Sequence, residues 1–532
     1  MFSTKKNSTF PQTLCTFMYK NNLNDQQQSL DFEDFFLPFG GKLDGNNRWV
    51  KLAHIIPWAD FEEQYSEQFS DSMGAAALPF RIALGALIIK ERLRITDREA
   101  VEQIKENPYL QYFLGYSEFK HDEPFDASMY VYFRKRISDE ILSQINEAVI
   151  AASIAKKKDA ASTTDANDDE DPPKNSGKLI IDATCTPADI RYPTDLSLLN
   201  EAREKTERII DVLWEHRHGN CGFKKKPRTY RNRAHKDFLA IIKQQKDKNL
   251  TCRKGIRRQL HYLKRNLEYI EKLSRFVPVM VLSRFLYRSL LVIHEVYRQQ
   301  KEMYENKTHR ISDRIVSITQ PHVRPIVRGK AGKKVEFGAK ISASSCMGYS
   351  TVDRISWDAY NESEDLIVQA EKYRKRFGYY PASIHADKIY RNRDNRKWCK
   401  KHDIRLSGPP LGRPVKITEQ NHKEIKHQKA LVRQDERDRI DIEGRFGHSK
   451  RKYGLGRVMA KLTDTSASVI SLVFLVMNLE KILRDLFWLI FYLIRTASSV
   501  TDAINEVRKS CTINNSTKII TPPILFAEYV VV

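Results

Sequence analysis

The segment from Val335 to Ala343 carries the clearest structural signal in the chain. Five apolar residues alternate there with four polar or small residues, a period of two that predicts a half-buried β-strand. Gly348 marks a turn into a second predicted strand over 349–355. Shorter apolar runs, separated by helical patterns, predict three more strands, at residues 179–181, 381–386 and 404–407. Strands separated by helices make this part of the chain an α/β domain.

The order of the predicted elements narrows the fold further. It reads strand, helical insertion, strand, strand, helix, strand, helix, strand, helix. Without the insertion, this order resembles that of an RNase H-like domain, which has a mixed sheet flanked by helices. In that fold, neighbouring strands each end in an acid, and a later helix brings a third acid opposite them. Two of the predicted strands do end in acids, Asp182 and Asp387.

A third acid lies in the charged stretch from Arg433 to Tyr453, whose middle is expected to be helical. At 3.6 residues per turn, Arg439, Glu443 and Lys450 fall on one face. A carboxylate between two cations suits metal-dependent attack on a phosphodiester, because the acid can bind a divalent ion while the cations hold phosphate oxygens. A solvated, salt-bridged helix face is the alternative for a stretch with so many charges.

The charge of the chain indicates a polyanionic partner. The 532 residues carry a net charge of +23, and the isoelectric point is near 9.5. The region 201–260 is strongly basic, with 18 Lys and Arg residues against 7 Asp and Glu, a net +11. Its densest cluster, called the basic loop below, comprises Lys224, Lys225, Lys226 and Arg228. We expect the basic loop to contact nucleic acid, although solubility alone is the alternative.

Changes in composition along the chain predict several segments. Residues 1–155 are expected to form a separate all-α N-terminal domain whose basic residues suit DNA binding, with dimerisation as the alternative. Residues 156–178 lack apolar periodicity and are rich in Asp, Ser, Thr and Pro, which is typical of a flexible linker. Residues 179–480 form the α/β domain, with a basic helical insertion at about 201–310. Residues 481–532 are expected to form a helical C-terminal tail.

Neither secretion nor a membrane role is expected. The N-terminus, MFSTKKNSTF, is polar and unlike a signal sequence. The most apolar stretch, Ser466 to Leu479, is shorter than a membrane span and runs into charged residues, so we expect a buried core helix. The seven cysteines form no CxxC pair, which suits free thiols in a reducing cytoplasm.

Eight sequence blocks in a fixed order carry a family resemblance. The N-terminal blocks are NRWVKLAHIIPW (47–58), ALGALIIKERLRITDREAVEQIKENPYLQYFLGY (83–116) and FRKR (133–136). The later blocks are LIIDATCTPADIRYPTDLSLLNEARE (179–204), VRPIVRGK (323–330), EFGAKIS (336–342), HADKIYRNRDNRKWC (385–399) and IEGRFGHSKRKYGLGRVMAKL (442–462). Together they resemble bacterial insertion-sequence transposases of the DDE class, and they cover most of the chain.

The resemblance implies a set of site residues. By the family's pattern, Asp182, Asp387 and Glu443 are the three catalytic acids and the ligands of two Mg²⁺ ions, for which Mn²⁺ can substitute. A related signature of the family consists of Tyr, Arg, Glu and Lys, separated by two, three and six intervening residues, respectively. Arg439, Glu443 and Lys450 match it at those spacings, which implies that Arg439 and Lys450 bind DNA phosphates.

The sequence departs from the family's pattern at one position and offers competitors for one acid. Glu436 stands where the signature has tyrosine, which bears on a stacking or phosphate contact there rather than on the metal site. Asp189 and Asp195 are the nearest competitors for Asp182. Both follow Pro187 and lie off the predicted strand, so Asp182 is preferred.

The resemblance also implies an activity. It is that of a DNA transposase, which binds the terminal inverted repeats of its insertion sequence, cleaves DNA and joins 3′ ends to target DNA. Two metal ions roughly 3.5–4 Å apart would activate the attacking oxygen and stabilise the leaving oxygen. Expected partners are double-stranded DNA and further copies of the chain, as a homodimer or higher multimer on DNA in the cytoplasmic nucleoid. The alternatives are a nuclease of the same fold without strand transfer and a catalytically inactive DNA-binding protein.

Overall fold

The structure is a computed structural model, and it describes only part of the chain. The described residues are 31–38, 40–69, 76–162, 175–217, 223–243, 248–327, 335–409, 412, 418 and 420–512. The chain divides into two compact units, Met1–Leu479 and Glu480–Val532. Residues 163–174 of the predicted linker and 513–532 of the predicted tail lie outside the described residues. The predicted domain boundaries therefore stay predictions.

Helices form the N-terminal part of the first unit. They are α1 (Arg48–Ile55), α2 (Ala59–Ser66), α3 (Phe80–Leu93), α4 (Asp97–Glu106), α5 (Pro108–Phe113), α6 (Met129–Arg136) and α7 (Asp139–Ser162). The spacing of Thr96 and Glu99 predicts a capping box at the start of α4. It is present in part, since the Thr96 hydroxyl accepts a hydrogen bond from the Glu99 amide at 3.2 Å. The apolar residues Phe133, Ile137, Ile141 and Ile145 predict a single long helix from Asp126, and that prediction is wrong. The chain breaks between α6 and α7, where the Ser138 hydroxyl accepts from the Ile141 amide at 3.4 Å and so starts a new helix.

Six strands in the described residues form one mixed sheet. They are β1 (Lys178–Pro187), β2 (Arg324–Val327), β3 (Val335–Cys346), β4 (Tyr349–Ser356), β5 (Ser383–His385) and β6 (Arg405–Leu406). The central strand β1 pairs antiparallel with β3 and parallel with β5. β3 also pairs antiparallel with β2 and β4, and β6 pairs parallel with β5. This mixed sheet confirms the predicted RNase H-like class.

The helical insertion lies between β1 and β2. Its helices are α8 (Asp195–Glu215), α9 (Arg231–Ile242), α10 (Lys248–Ser274) and α11 (Arg284–Glu305). Three of them, α8, α10 and α11, share a core of buried leucine, isoleucine and valine side chains. α8 starts before the expected position near 201, because Thr194 and Ser197 form a capping box in front of it. The insertion therefore has a hydrophobic core of its own.

Further helices flank the sheet. They are α12 (Asp365–Phe377), α13 (Arg393–Lys401), α14 (His422–Lys452) and α15 (Thr463–Thr512). α14 contains the charged stretch singled out in the sequence and runs unbroken through both of its glycines, Gly444 and Gly447. Within the first unit, Asn478 of α15 donates to Ser350 of β4 at 2.7 Å and to Asn146 of α7 at 2.8 Å. These buried amides tie α7 and the first part of α15 to the sheet.

One helical segment in the described part, Thr463–Phe487, is long and apolar enough to cross a membrane. It extends beyond the stretch 466–479 that the sequence singled out as too short. In its most apolar window, 78% of the residues are buried inside the protein. That burial favours the predicted core helix, because a helix that is apolar all round is buried in a protein core or in a membrane.

Candidate active site

The first predicted acid, Asp182, lies on the central strand β1. Its carboxylate is partly buried and accepts a hydrogen bond from the Ala183 amide at 2.9 Å. The pKa of Asp182 is raised to about 6, mainly by burial and in smaller part by two nearby carboxylates, Glu362 and Glu443. The Ala183 amide and the charge of Arg439 act in the opposite direction. The negative charge of Asp182 is therefore poorly compensated, which favours the approach of a cation.

Asp387 follows β5, the parallel neighbour of β1. Ile180 of β1 is paired with His385 of β5. Asp182 and Asp387 each lie two residues further along, so the two acids are side by side on neighbouring strands. The prediction that the first strand ends at Asp182 is wrong, because β1 continues to Pro187 through its pairing with β3. The Asp387 carboxylate caps the short 3₁₀ helix Lys388–Tyr390 by accepting from its first amide at 2.7 Å. The side chain is 51% exposed, which leaves it accessible to a ligand.

Glu443 reaches the same two acids from α14. An ion pair with a buried carboxylate holds this helix against the sheet, because Asp435 accepts hydrogen bonds from the guanidinium of the partly exposed Arg405 at 2.7 and 2.8 Å. Burial opposes the ionisation of Asp435, but these bonds hold its pKa below the usual range. Further along α14, Ile442 and Phe446 are buried, and Glu443 lies beside this packed face with 59% of its side chain exposed.

Two cations of α14 lie in the same region as the acids. The Nη1 atom of Arg439 is 3.6 Å from Oδ1 of Asp387, and its Nη2 atom is 3.5 Å from Oε1 of Glu443. Lys450 donates from Nζ to the Thr184 hydroxyl of β1 at 2.9 Å. Arg439 therefore connects two acids, whereas Lys450 is held at the strand that carries the third.

These side chains line one open cleft of about 690 Å³. Its lining includes all the residues that the sequence assigned to the catalytic centre: Asp182, Asp387, Arg439, Glu443 and Lys450. Glu436, at the family's tyrosine position, is exposed and is not part of the lining among the described residues. The geometry thus brings together groups from β1, from the loop after β5 and from α14.

Sequence reasoning missed further residues that line the cleft, among them the polar Thr184, Lys340 and Glu362. Lys340 and Glu362 form an ion pair at 2.9 Å, and both side chains are largely buried. Lys340 gave a weak signal, as a cation within the alternating strand pattern. Glu362 gave none, because its place in the cleft depends on how the loop after β4 folds back onto the sheet.

Comparisons with known proteins match two parts of the chain. Residues 38–136 match the family described as Transposase domain (DUF772), and residues 384–480 match the family described as Transposase DDE domain. The "Uncharacterized protein ORF8 in nfe locus" of Rhizobium meliloti is 33% identical over 153 residues, which are 29% of this chain and 68% of that protein. This chain belongs to the DDE transposases. No solved structure matches it.

Asp182 of the transposase lies outside both matched ranges, so its assignment depends on its position in the cleft. Its two competitors have structural partners instead. Asp189 accepts a hydrogen bond from Arg457 at 2.7 Å. Asp195, at the start of α8, accepts from Arg314 at 2.6 Å. Neither competitor lines the cleft in the part of the chain that the structure describes.

DDE transposases generally use divalent metal ions. The donors of this chain have the chemistry that such an ion needs, since Asp182, Asp387 and Glu443 supply carboxylate oxygens to one cleft, and Mg²⁺ prefers oxygen ligands. The arrangement is nevertheless open. Among the described residues, no three acidic, histidine or cysteine side chains are close enough together to hold an ion. The guanidinium of Arg439 lies between two of the three acids.

Transposases bind DNA, and the basic loop offers one surface for it. All four of its side chains are exposed, in the segment that precedes α9. Lys226 pairs with Asp211 of α8 at 2.8 Å, which leaves the other three as the more available cations. None of the four lines the catalytic cleft as described. Contact between the basic loop and DNA stays a prediction.

Proposed function

We propose that this chain is the transposase of an insertion sequence, which binds the terminal inverted repeats of the element, cleaves DNA there and joins the 3′ ends to target DNA. One observation carries the proposal. Three carboxylates from separate elements, Asp182, Asp387 and Glu443, line a single cleft together with the cations Arg439 and Lys450. Acids that bind metal and cations that bind phosphate are the two requirements of metal-dependent phosphoryl transfer.

Asp182, Asp387 and Glu443 would together hold two Mg²⁺ ions. When bound, these ions would lower the pKa of an attacking water or 3′-hydroxyl and neutralise charge on the leaving oxygen. The half-exposed side chains of Asp387 and Glu443 can adjust to a ligand, whereas Asp182 is fixed by the strand and by its bond to the Ala183 amide.

The cations of α14 would orient the DNA. Arg439 offers a planar set of donors that suits two phosphate oxygens, and Lys450 offers a compact point charge. Thr184 holds the Lys450 ammonium at β1, beside the acid of the same strand. A scissile phosphate bound by these cations would lie over the carboxylates, so that attack and departure could proceed in line.

Other parts of the chain would supply further DNA contacts. The net charge of +23 favours association with DNA through its phosphates. We assign recognition of the terminal repeats to the N-terminal helical domain, residues 1–155, and backbone contacts to the basic loop in the insertion. Since an element has two ends, the active form would be a dimer or higher multimer on DNA in the cytoplasm.

Neutral amides at the three acids test the catalytic proposal. Asp182→Asn, Asp387→Asn and Glu443→Gln should each abolish Mg²⁺-dependent cleavage and keep DNA binding, because an amide is a poor ligand for Mg²⁺. Asp441→Asn on the same helix is the matched control and should cleave. Near-normal cleavage by one of the three variants would remove that residue from the site.

A strand-transfer assay tests the second half of the proposal. A duplex with pre-cut element ends is incubated with wild-type protein, target DNA and Mg²⁺. Joined products support the transposase, whereas cleavage without joining would indicate a nuclease of the same fold. Absence of both reactions with Mg²⁺ and with Mn²⁺ would indicate a DNA-binding protein without catalysis.

A further inference from the structure

The guanidinium of Arg439 lies where negative charge is concentrated. Its two terminal nitrogens face different acids, Asp387 at 3.6 Å and Glu443 at 3.5 Å. The side chain is 23% exposed, and its Nε atom is buried without a hydrogen-bond partner. The guanidinium thus bridges two candidate metal ligands and leaves part of its own hydrogen-bonding capacity unused.

These contacts are loose by the standards of the same helix. Arg445 contacts Asp441, also four residues away along α14, at 3.0 Å. Arg405 binds Asp435 at 2.7 and 2.8 Å. Charge-assisted hydrogen bonds are typically about 2.7–2.9 Å long. Arg439 therefore contacts two acids but forms a short hydrogen bond with neither, which makes it easy to displace.

We propose that Arg439 occupies, in the metal-free protein, the space between Asp387 and Glu443 that a divalent ion requires, and that DNA draws it away onto a phosphate. This inference rests on the proposed function, because it takes these acids as metal ligands. Its new element is the coupling. One side chain competes with the metal in the absence of DNA and binds the substrate in its presence.

The charges dictate this competition. A divalent cation beside a guanidinium experiences like-charge repulsion, which is strong at a separation of a few ångströms. The long arginine side chain can relieve the repulsion by turning toward an arriving phosphate. Lys450 has a different position, since its ammonium is bound to Thr184 of β1 rather than placed between the acids. Arg439 and not Lys450 is the residue that links the two binding events.

The coupling has a consequence in both directions. DNA must raise the affinity for the metal, and the metal must raise the affinity for DNA by the same factor. The free transposase would then hold metal weakly and become loaded only on DNA. Direct contact between the metal and a DNA phosphate also contributes to coupling, so the part due to Arg439 is the part that its removal abolishes.

The first test titrates the full chain with Mn²⁺ in the absence of DNA. Electron paramagnetic resonance measures the concentration of free Mn²⁺ at each step. Arg439→Ala should bind Mn²⁺ roughly 3- to 30-fold more tightly than wild type, the range expected when two partly exposed ion pairs are removed. Arg445→Ala removes an ion pair of the same spacing on the same helix and should leave the affinity unchanged. Arg439→Lys keeps the charge without the bridging fork and should fall between wild type and Arg439→Ala.

Affinity for a blunt-ended DNA duplex, measured in EDTA and in saturating Mn²⁺, is the second test. The ratio of the two affinities should be larger for wild type than for Arg439→Ala, while Arg445→Ala keeps the wild-type ratio. This readout separates coupling from a general loss of DNA binding, which would lower both affinities and leave their ratio unchanged.

The outcomes distinguish this inference from the proposed function. Equal Mn²⁺ affinity of wild type and Arg439→Ala, or an equal gain in Arg445→Ala, would overturn the competition. If Glu443→Gln still lost Mn²⁺ binding in that case, the proposed metal site would stand, and only the competition between Arg439 and the metal would be refuted. If neither wild type nor Arg439→Ala bound Mn²⁺ with or without DNA, the proposed function itself would fail.

Discussion

Replacement of Asp182 by Asn should make the protein more stable at neutral pH while removing its activity. Burial raises the pKa of Asp182 from the ordinary 3.8 to about 6. The ionised carboxylate is therefore disfavoured in the folded protein. Asparagine has nearly the same shape and keeps an oxygen that can accept the hydrogen bond from the Ala183 amide, but it carries no charge. Such a conflict between stability and activity is typical of functional sites.

The size of the effect and its pH window follow from the same pKa. The rise from 3.8 to about 6 corresponds to roughly 3 kcal/mol of disfavoured ionisation, which partial exposure of the side chain reduces to about 1–3 kcal/mol. Because the folded-state pKa is the higher one, the folded state binds more protons between the two values. The charge of Asp182 therefore lowers the free energy of unfolding by the full amount above about pH 6 and by roughly half of it near pH 5. Well below pH 3.8 it has no effect.

Thermal unfolding of the full-length protein in EDTA measures this effect. Asp182→Asn should melt a few degrees above wild type at neutral pH, and the difference should shrink as the pH falls toward 5. Asp387→Asn is the matched control, because it makes the same chemical change in the same cleft on a side chain that is 51% exposed, and it should change the melting temperature less. Equal melting of Asp182→Asn and wild type at neutral pH, or a gain that grows on acidification, would refute the burial argument.

Further outcomes follow from α14 and from the insertion. Asp441→Ala should keep most of the cleavage activity, whereas Glu443→Ala should lose it. The reason is that Asp441 accepts a hydrogen bond from Ser345 of β3 at 3.1 Å, and only Glu443 of the two lines the cleft. The reverse ranking in a cleavage assay would reassign the third acid to Asp441. Lys450→Ala should weaken binding of a cleaved DNA end more than binding of Mn²⁺, since it removes a phosphate contact and leaves the carboxylates, and equal losses in the two titrations would contradict this. Alanine at all four positions of the basic loop should flatten the slope of log K against log salt by about 0.9 per lost phosphate contact, equally on all sequences. An unchanged slope would make the basic loop a solvated surface.

The parts of the fold that could be predicted from the sequence are those with a local period. The alternation from Val335 to Ala343 needs only neighbours within one strand, and it appears as β3. The spacing of Arg439, Glu443 and Lys450 needs only the pitch of one helix, and the three residues line one cleft from α14. Such patterns depend on the backbone geometry of single elements, which the sequence expresses directly.

The parts that could not be predicted depend on contacts between elements. Lys340 and Glu362 meet in the cleft as an ion pair at 2.9 Å, although one lies on β3 and the other in the loop after β4. The place of Arg439 between two acids likewise depends on the position of Asp387, because Arg439 lies on α14 whereas Asp387 follows β5. The break after α6 depends on one hydroxyl cap at Ser138, which competes with continuation of the helix.

The insertion explains why the distance between acids along the sequence is a poor guide to the site. Asp195, the first residue of α8, accepts hydrogen bonds from Gln300 near the end of α11 at 2.9 Å and from Arg314 beyond it at 2.6 Å. The start and the end of the insertion thus contact each other, and its hydrophobic core lies among its own helices. β1 and β5 remain adjacent parallel strands, although Asp182 and Asp387 are 205 positions apart. Strand pairing and not sequence separation brings the acids together, so a helical domain of this size can be accommodated between them without displacing either one.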